Sequence, residues 1–178
     1  MALRETPAAR RGPPLPPFVP AWTATELFVQ NSAHMSVRVL NNITSAHPVM
    51  GGIVNGSTET DIYPKYSDGN SYFRIQGAGA SGFANASSIG DYMAIRSSSG
   101  AGVDAYKDNS FVGNTSGASQ PVLTGNIVVL GVTNNITGVA GSAFQVARFS
   151  IGNGSWSSTD RTNFRNLNLT LEALLGIP

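Results

Sequence analysis

The acidic pair Glu59 and Asp61 is the part of the sequence whose residue types and spacing come nearest to catalytic chemistry. Two carboxyl groups roughly 5–5.5 Å apart can cleave a glycosidic bond, one acting as the nucleophile and the other as the acid. The E-x-D-x-x-E spacing of sandwich-fold enzymes with this chemistry would place a further acid at position 64, where this chain has Pro64. The acid/base partner is therefore missing, and the sequence predicts a protein that is not an enzyme.

Neither the histidines nor the glycine-rich loop supplies another catalytic or cofactor motif. His34 and His47 are the only histidines, and no G-x-S-x-G nucleophile elbow accompanies them. Residues 77–82 fit G-x-G-x-x-G, but residues 83–90 do not continue as the apolar helix on which a pyrophosphate would sit. Surface or structural histidines and a flexible glycine loop are the simpler interpretations.

Tyrosines beside polar side chains are the candidate binding residues. Sugar recognition needs an exposed aromatic ring next to hydrogen-bonding groups, since a tyrosine offers both an apolar face and a polar tip. Tyr63 and Tyr66 lie in a polar, loop-like segment, and Tyr106 precedes the Asp108-Asn109 turn. We predict that these five residues bind a glycan, with ordinary packing of the rings as the alternative.

Composition favours a β-rich domain and excludes several classes of partner. Charged residues make up only 12% of the chain, and 20 glycines and 10 prolines favour short strands joined by turns. A net charge of +1 gives no long-range attraction for nucleic acid. No apolar stretch reaches about 18 residues, so membrane insertion is not expected. The chain has no cysteine, which excludes disulfides and thiolate metal sites.

Residues 1–22 differ in composition from the rest of the chain and are rich in proline. Proline fixes φ and removes an amide donor, so this segment is expected to be extended rather than part of a sheet. An arm that attaches the domain to a partner is our interpretation, and a disordered tail is the alternative. The residues expected to make the attachment are Arg4, Arg10, Arg11, Pro13, Phe18 and Trp22.

From residue 23 onwards the pattern is that of one β-domain, residues 23–178. Apolar and alternating runs predict strands at residues 26–30, 35–40, 51–55, 71–76, 91–96, 103–107, 126–132 and 143–151. The run 126–132 is continuously apolar, as expected of one strand buried on both faces. Arg148 shares the register of Phe144 and Val146, so it either reaches a rim or marks a β-bulge.

Only the C-terminus predicts a helix, over residues 158–175. Ser157 is a good N-cap, and Asp160 stands three residues later, as in a capping box. The apolar residues that recur at helical spacing are Phe164, Leu167, Leu171, Leu174 and Leu175, and Gly176 fits the C′ position. Many strands followed by one helix predict an all-β fold, a two-sheet antiparallel β-sandwich of the jelly-roll type.

The second half of the chain carries a family resemblance. The order of segments 91–96, 103–113, 126–135 and 144–178 resembles the laminin-G and concanavalin A-like jelly-roll domains. Residues 147–152 (ARFSIG), followed by a Ser/Thr-Asp cap and a leucine-rich helix, resemble the C-termini of lectin-like modules in tailed-bacteriophage virion proteins. The resemblance covers about half of the chain and implies a lectin-like sandwich.

Calcium is the one cofactor that this resemblance implies, since such domains often bind Ca²⁺ and glycans at the sandwich edge. Oxygen ligands for a hard cation could come from Asp104, Asp108 and Asn109, with Asn114 nearby. Plain turn residues are the alternative interpretation, and no other cofactor is expected.

The resemblance also implies a function, that of a non-enzymatic structural or accessory protein of a phage virion, assembled in the host cytoplasm. The arm would attach to the capsid or tail, as in capsid decoration or tail-fibre proteins, and the domain would be exposed for adhesion to host-surface glycans. Other virion proteins and further copies of the chain are the expected partners, and threefold symmetry would suit such an attachment point. A free carbohydrate-binding module or lectin is the first alternative, and a sandwich-fold glycosidase or lyase is the second.

Overall fold

Two β-sheets packed face to face, followed by one C-terminal helix, make up the described part of the chain. The computed structural model describes residues 21–23, 31–54, 58–77, 81–98, 100–122, 126–134, 138–154 and 156–177. The predicted strand 26–30 lies outside these residues. So do the candidate arm residues Arg4, Arg10, Arg11, Pro13 and Phe18.

The strands are short and form one mixed and one antiparallel sheet. In chain order they are β1 (Ala21–Thr23), β2 (Ala33–Val39), β3 (Met50–Val54), β4 (Thr58–Tyr63), β5 (Asn70–Gly77), β6 (Phe83–Ala84), β7 (Gly90–Arg96), β8 (Val103–Lys107), β9 (Ser110–Thr115), β10 (Asn126–Val129), β11 (Gly131–Asn134), β12 (Gly138–Gly141) and β13 (Val146–Asn153). The first sheet has the order β1-β10-β3-β4-β5-β6, and the β11–β12 hairpin joins it through a parallel pairing of β11 with β3. The second sheet has the order β13-β2-β7-β8-β9, and all its pairings are antiparallel.

The hydrophobic core lies between the two sheets. Every second residue of β2 is fully buried and apolar, namely Ala33, Met35, Val37 and Val39. Ile62 of β4 and Phe73 of β5 belong to the same buried cluster and contribute to it from the first sheet. Alternate residues of a strand point to opposite faces, so the residues between these core positions lie on the outer faces of the sandwich. The predicted two-sheet β-sandwich with a C-terminal helix is confirmed.

The first sheet begins before residue 23, where the composition places the start of the domain. Ala21 and Trp22 pair with Val128 and Ile127 of β10. Trp22, a candidate arm residue, is therefore part of a strand of the sandwich.

The apolar run 126–132 forms two strands rather than the one predicted. β10 pairs antiparallel with the start of β3, whereas β11 pairs parallel with the end of the same strand. The chain turns between them at Leu130, whose φ is +64° and whose side chain is exposed. A positive φ is uncommon for a residue other than glycine. The residue that makes the turn is itself apolar, so the sequence pattern does not reveal it.

Arg148 lies beside a β-bulge, which is one of the two options that the sequence leaves open. The register of β13 against β2 shifts between Val146 and Arg148. Arg148 then pairs with Arg38 and lies on the outer face of the second sheet. Its guanidinium forms ion pairs there with Asp91 of β7 and with Glu172. The strand itself spans Val146–Asn153, two to three residues later than predicted.

The helix α1 (Ser158–Leu175) has the predicted bounds and the predicted caps. The Ser157 hydroxyl accepts a hydrogen bond from the Asp160 amide at 3.2 Å, and the Asp160 carboxylate accepts one from the Ser157 amide at 2.9 Å. Gly176 adopts a left-handed conformation with φ +68°, and the Ile177 amide donates to the Glu172 carbonyl at 2.9 Å. These bonds satisfy backbone groups that a helix end leaves without partners. No helix of the described residues is long and apolar enough to cross a membrane.

The charged side of α1, not its leucine side, faces the second sheet. Glu172 is buried, and its carboxylate lies 2.8 Å from Arg148 Nε and 3.5 Å from Arg38 Nε. Arg165 Nε lies 3.6 Å from Asp91 on β7. The leucines that predict the helix are more than half exposed, and they are Leu167, Leu171, Leu174 and Leu175. Ion pairs rather than leucine packing therefore dominate the contact between α1 and the sandwich.

The segment before α1 is held by a stack of three rings. The Trp156 ring centroid lies 4.2 Å from that of His34 on β2 and 4.6 Å from that of Phe164 on α1. His34 Nδ1 also lies 3.3 Å from the Gly154 carbonyl oxygen. Burial lowers the pKa of His34, so the neutral imidazole is favoured. His34 therefore has a structural role, as the sequence suggests.

Candidate functional site

The outer face of the first sheet brings aromatic and charged side chains together across β4 and β5. In the antiparallel pairing, Asp61 lies opposite Arg74 and Tyr63 lies opposite Tyr72. Phe73, between Tyr72 and Arg74, points into the core. Because side chains of one strand alternate between faces, these four residues must share the outer face.

A tight turn after β4 adds a third tyrosine to this face. The Tyr66 amide donates to the Asn70 carbonyl at 2.7 Å, and the Gly69 amide donates back to the Tyr66 carbonyl at 3.0 Å. Gly69 has φ +84°, a left-handed conformation that glycine adopts without steric cost. Asp68 accepts a bond from the Asn70 amide at 2.9 Å. The turn therefore fixes Tyr66 beside the end of β4.

The three tyrosine rings pack edge to face. Tyr63 and Tyr66 have ring centroids 5.4 Å apart, Tyr66 and Tyr72 are 5.8 Å apart, and Tyr63 and Tyr72 are 6.4 Å apart. The interplanar angles lie between 83° and 89°. This geometry matches the positive edge of one ring to the negative face of the next. The rings hold one another in place before any ligand arrives.

A solvent-open pocket with a volume of about 280 Å³ lies against these rings. We call it the tyrosine pocket, and its lining residues are Glu59, Tyr63, Tyr66, Tyr72 and Arg74. Tyr63 is buried and forms the floor, whereas Tyr66 and Tyr72 are half-buried and form the accessible walls. A concave site with a few convergent polar groups is the usual form of a binding site for a small ligand.

One arginine serves two carboxylates at the floor of the pocket. Arg74 forms ion pairs with Glu59 and with Asp61, whose Oδ1 lies 2.8 Å from Arg74 Nε. Asp61 is fully buried, and its Oδ2 has no hydrogen-bond partner among the residues that the structure describes. Burial raises the pKa of Asp61 well above its ordinary value and lowers the pKa of Arg74 to about 10. Both shifts reflect the cost of holding charge away from water.

The rim of the pocket carries an ionised carboxylate. The Tyr72 hydroxyl donates a hydrogen bond to Asp68, and this bond, followed by that from the Asn70 amide, lowers the pKa of Asp68. The same bond raises the pKa of Tyr72. Burial, together with the charge of Asp61, raises the pKa of Tyr63. The two tyrosines therefore keep neutral hydroxyls at physiological pH, and Asp68 remains negative.

The remaining predicted sugar-binding residues lie on the opposite face of the sandwich, beneath α1. The Tyr106 ring is buried, with the Arg161 guanidinium carbon 4.0 Å from its centroid. Asn109 Nδ2 donates to Thr162 on α1 at 3.0 Å, and Asp108 accepts a bond from a backbone amide of β7 at 3.0 Å. Asp108 and Asn109 both have positive φ, as residues of a tight hairpin turn often do. The structure does not bring these three residues near Tyr63 and Tyr66.

The candidate calcium ligands are engaged with other protein groups. Asp104 Oδ1 accepts a hydrogen bond from Asn114 Nδ2 at 2.7 Å. Asp108 and Asn109 make the contacts to β7 and α1 given above. The described residues contain no group of three or more His, Asp or Glu side chains arranged to hold a metal.

Three lining residues of the pocket, Glu59, Tyr72 and Arg74, are not among the predicted glycan-binding residues, and the sequence carries only part of the signal for Tyr72 and Arg74. Tyr72 and Arg74 are two positions apart in a segment that alternates well enough to predict a strand. They therefore had to share a face of that strand. What the sequence does not give is the register that places this face beside β4.

The comparisons with known proteins yield no relative, since no protein-family model matches the chain and no curated protein matches it. Function must therefore be inferred from the side chains of the tyrosine pocket.

Proposed function

We propose that the chain is a non-enzymatic binding domain that holds a glycan in the tyrosine pocket. The observation that carries the proposal is the set of three edge-to-face tyrosines beside Glu59 and Arg74 on an open sheet surface. The apolar face of a sugar ring can stack on Tyr66 or Tyr72. Its hydroxyls can then bond to the phenol groups and to the carboxylate of Glu59.

The charged groups of the pocket favour binding over catalysis. Retaining hydrolysis needs one carboxylate free to attack and a second group able to donate a proton. Here Glu59 and Asp61 both pair with Arg74, and Asp61 is fully buried beneath it. Position 64, where an acid/base residue would be expected, has a structural role. The Pro64 carbonyl accepts hydrogen bonds from Ser71 and Asn85 at 2.7 and 2.6 Å.

The resemblance to lectin-like phage modules supports the same proposal and gives it a setting. In a virion the sandwich would present this pocket to the host surface, while residues 1–20 attach to the capsid or tail. A binding domain of this kind needs neither a cofactor nor a catalytic group.

The test is the substitution Tyr66→Ala, with binding measured on a glycan array and then by calorimetry. Removing one wall of the pocket is expected to weaken glycan binding about tenfold, because stacking on an aromatic ring is worth roughly 1 kcal/mol or more. Phe111→Ala is the matched control, since Phe111 is an exposed aromatic on the second sheet. Equal binding by the wild type and the Tyr66 variant would rule out the pocket as the glycan site.

Assembly with further copies of the chain is a second candidate function, favoured by the outward side of α1. Four leucines are exposed there, and the other exposed residues of α1 from position 166 to 175 are uncharged: Asn166, Thr170 and Ala173. Two copies could therefore meet along this side without repulsion, as in an oligomeric virion component. Light scattering should detect an oligomer that Leu171→Glu dissociates, and a wild-type monomer at high concentration would remove this candidate.

A further inference from the structure

We infer that the tyrosine pocket prefers a positively charged sugar, one that carries a free amine in place of a hydroxyl or an acetamide. This inference rests on the proposed glycan-binding function and specifies the chemical class of the ligand. Three properties of the pocket lead to it: its formal charge, its aromatic faces and the engagement of its only cation.

The first property is an excess of negative charge. Glu59 is the one carboxylate and Arg74 the one cation among the lining residues, and two further carboxyl groups lie beside them: Asp61 is buried against Arg74, and Asp68 accepts a hydrogen bond from Tyr72. Burial raises the pKa of Asp61, whereas the hydrogen bond that Tyr72 donates lowers the pKa of Asp68. Even with Asp61 protonated, Glu59 and Asp68 outnumber Arg74. An ammonium group would balance this charge.

The second property is the supply of aromatic faces. A cation within about 6 Å of a ring centroid is attracted by the negative face of the ring. The floor already shows this geometry, since the Arg74 guanidinium carbon lies 5.4 Å from the Tyr63 centroid. Tyr66 and Tyr72 offer rings of the same kind at the accessible walls. A sugar that stacks on either ring brings an amine close to such a face.

The third property is that the two cations described on β4, β5 and the turn between them, Arg74 and Lys65, already have protein partners. Both ion pairs of Arg74 are made with carboxylates of β4. Lys65, in the turn between β4 and β5, donates a hydrogen bond from its ammonium group to the Ala86 carbonyl at 2.8 Å. A uronic acid or a sulfated sugar would therefore meet Glu59 and Asp68 without a partner for its own charge among the described residues.

Binding of four matched tetrasaccharides to the full chain tests the inference. They are β-1,4-linked glucosamine, N-acetylglucosamine, glucose and a uronic acid, measured by calorimetry at about pH 6 in low and high salt. We expect the glucosamine oligomer to bind about tenfold more tightly than the two neutral oligomers and the uronic acid oligomer not to bind. The preference should shrink in high salt, because ions screen charges near the surface.

Two outcomes separate the failure of this inference from the failure of the proposed function. If a neutral oligomer binds as tightly as the glucosamine oligomer, the glycan site stands and the charge preference is wrong. If none of the four binds, both the preference and the proposed function are overturned for this class of linkage.

The variant Asp68→Asn provides an internal check. Asp68 is exposed, and asparagine can still accept the hydrogen bond from Tyr72, so the fold should be kept. The variant should lose about half or more of the preference for glucosamine over N-acetylglucosamine. Asp104→Asn removes a carboxylate from the second sheet and should change neither affinity. An unchanged preference in the Asp68 variant would contradict the inference.

Discussion

Asp61 holds a carboxyl group at a point on the first sheet that water does not reach. One oxygen accepts a hydrogen bond from Arg74, and the other meets no hydrogen-bonding group in the described part of the chain. An aspartate in the unfolded chain titrates near 3.8, and burial moves the pKa of Asp61 upwards in the folded protein. The folded state therefore binds a proton that the unfolded state has already lost. The contribution of Asp61 to stability is full below the unfolded pKa and declines as the pH rises through the folded pKa.

The substitution Asp61→Asn should remove this decline. The free energy of unfolding of the wild type should fall relative to that of the variant as the pH rises from about 4 to about 8. Urea denaturation across that range measures the difference. Asp68→Asn is the control, because the lowered pKa of Asp68 affects stability only below the ordinary range of an aspartate. A constant difference between wild type and the Asp61 variant would show that Asp61 remains ionised in the fold.

Gly102 occupies a position where only a hydrogen side chain fits. A Cβ built there would lie 1.5 Å from the Thr115 carbonyl oxygen and 2.4 Å from the Asn114 side chain. Gly102→Ala should therefore force β8 and β9 apart and cost roughly 3 kcal/mol in the free energy of unfolding. Gly100→Ala is the matched control, since no atom of the described residues outside its chain neighbours lies within 4 Å of a Cβ at that position. Similar denaturation midpoints for the two variants would contradict this reading of the β8–β9 contact.

At the scale of elements, α1 reverses the usual arrangement of a surface helix. Amphipathic helices normally bury their leucines and expose their charges. Here the carboxylate of Glu172 is buried between Arg38 and Arg148, while Leu167 is 73% exposed. The stability of this contact should therefore depend on charge rather than on leucine.

Glu172→Gln tests that expectation by removing the charge and keeping the shape. Arg38 and Arg148 would lose one of the two carboxylates that they share and keep Asp91, and breaking a buried pair in this way costs roughly 3 kcal/mol. Leu167→Ala should change the free energy of unfolding by less than about 0.5 kcal/mol, because the side chain is largely exposed. Chemical denaturation followed by circular dichroism measures both. The reverse order of effects would mean that the leucines support the fold.

The elements that the sequence predicts best are those whose signals are local. The helix bounds follow from Ser157, Asp160 and Gly176, and the predicted strand 103–107 matches β8 residue for residue. β4 was not predicted as a strand, because its inward positions include Thr58 and its outward side is acidic, so the alternation is hidden. The turn at Leu130 is set by the pairing of two strands with β3, a contact distant in sequence.

The same distinction between local and long-range signals applies to the residues of the candidate site. Tyr63 and Tyr66 could be chosen from the sequence because they stand in a polar, tyrosine-bearing segment. Arg74 could not, because its role depends on lying opposite Asp61, thirteen residues earlier in the chain. Tyr106 fits the same sequence rule as Tyr63, yet α1 covers it. Local pattern identifies candidates, and long-range packing decides which of them remain open to a ligand.

At the scale of the whole molecule, the sandwich places the tyrosine pocket and the helix α1 on opposite outer faces. The tyrosine pocket lies on the outer face of the first sheet and α1 lies on the outer face of the second, with the core between them. Ligand binding and assembly could therefore act on one chain without competing for the same surface.

Removal of residues 1–20 tests the proposed role of the arm in attachment. The described core contains no residue before Ala33, so the truncated chain should keep the denaturation midpoint and the glycan binding of the full chain. Attachment to phage particles, measured by co-sedimentation, should be lost. Normal decoration of particles by the truncated chain would exclude the arm as the anchor.

The ring stack around Trp156 gives the protein a spectroscopic signal of its own. Trp156 is one of only two tryptophans and stands between His34 and Phe164. A protonated imidazole withdraws electron density from an adjacent indole and quenches its emission, and departure of α1 would expose the same indole to water and shift that emission to the red. Intensity therefore reports the charge of His34, and wavelength reports the position of the helix. Successive fluorescence spectra of the variant Trp22→Phe, in which Trp156 is the remaining tryptophan, can follow both events.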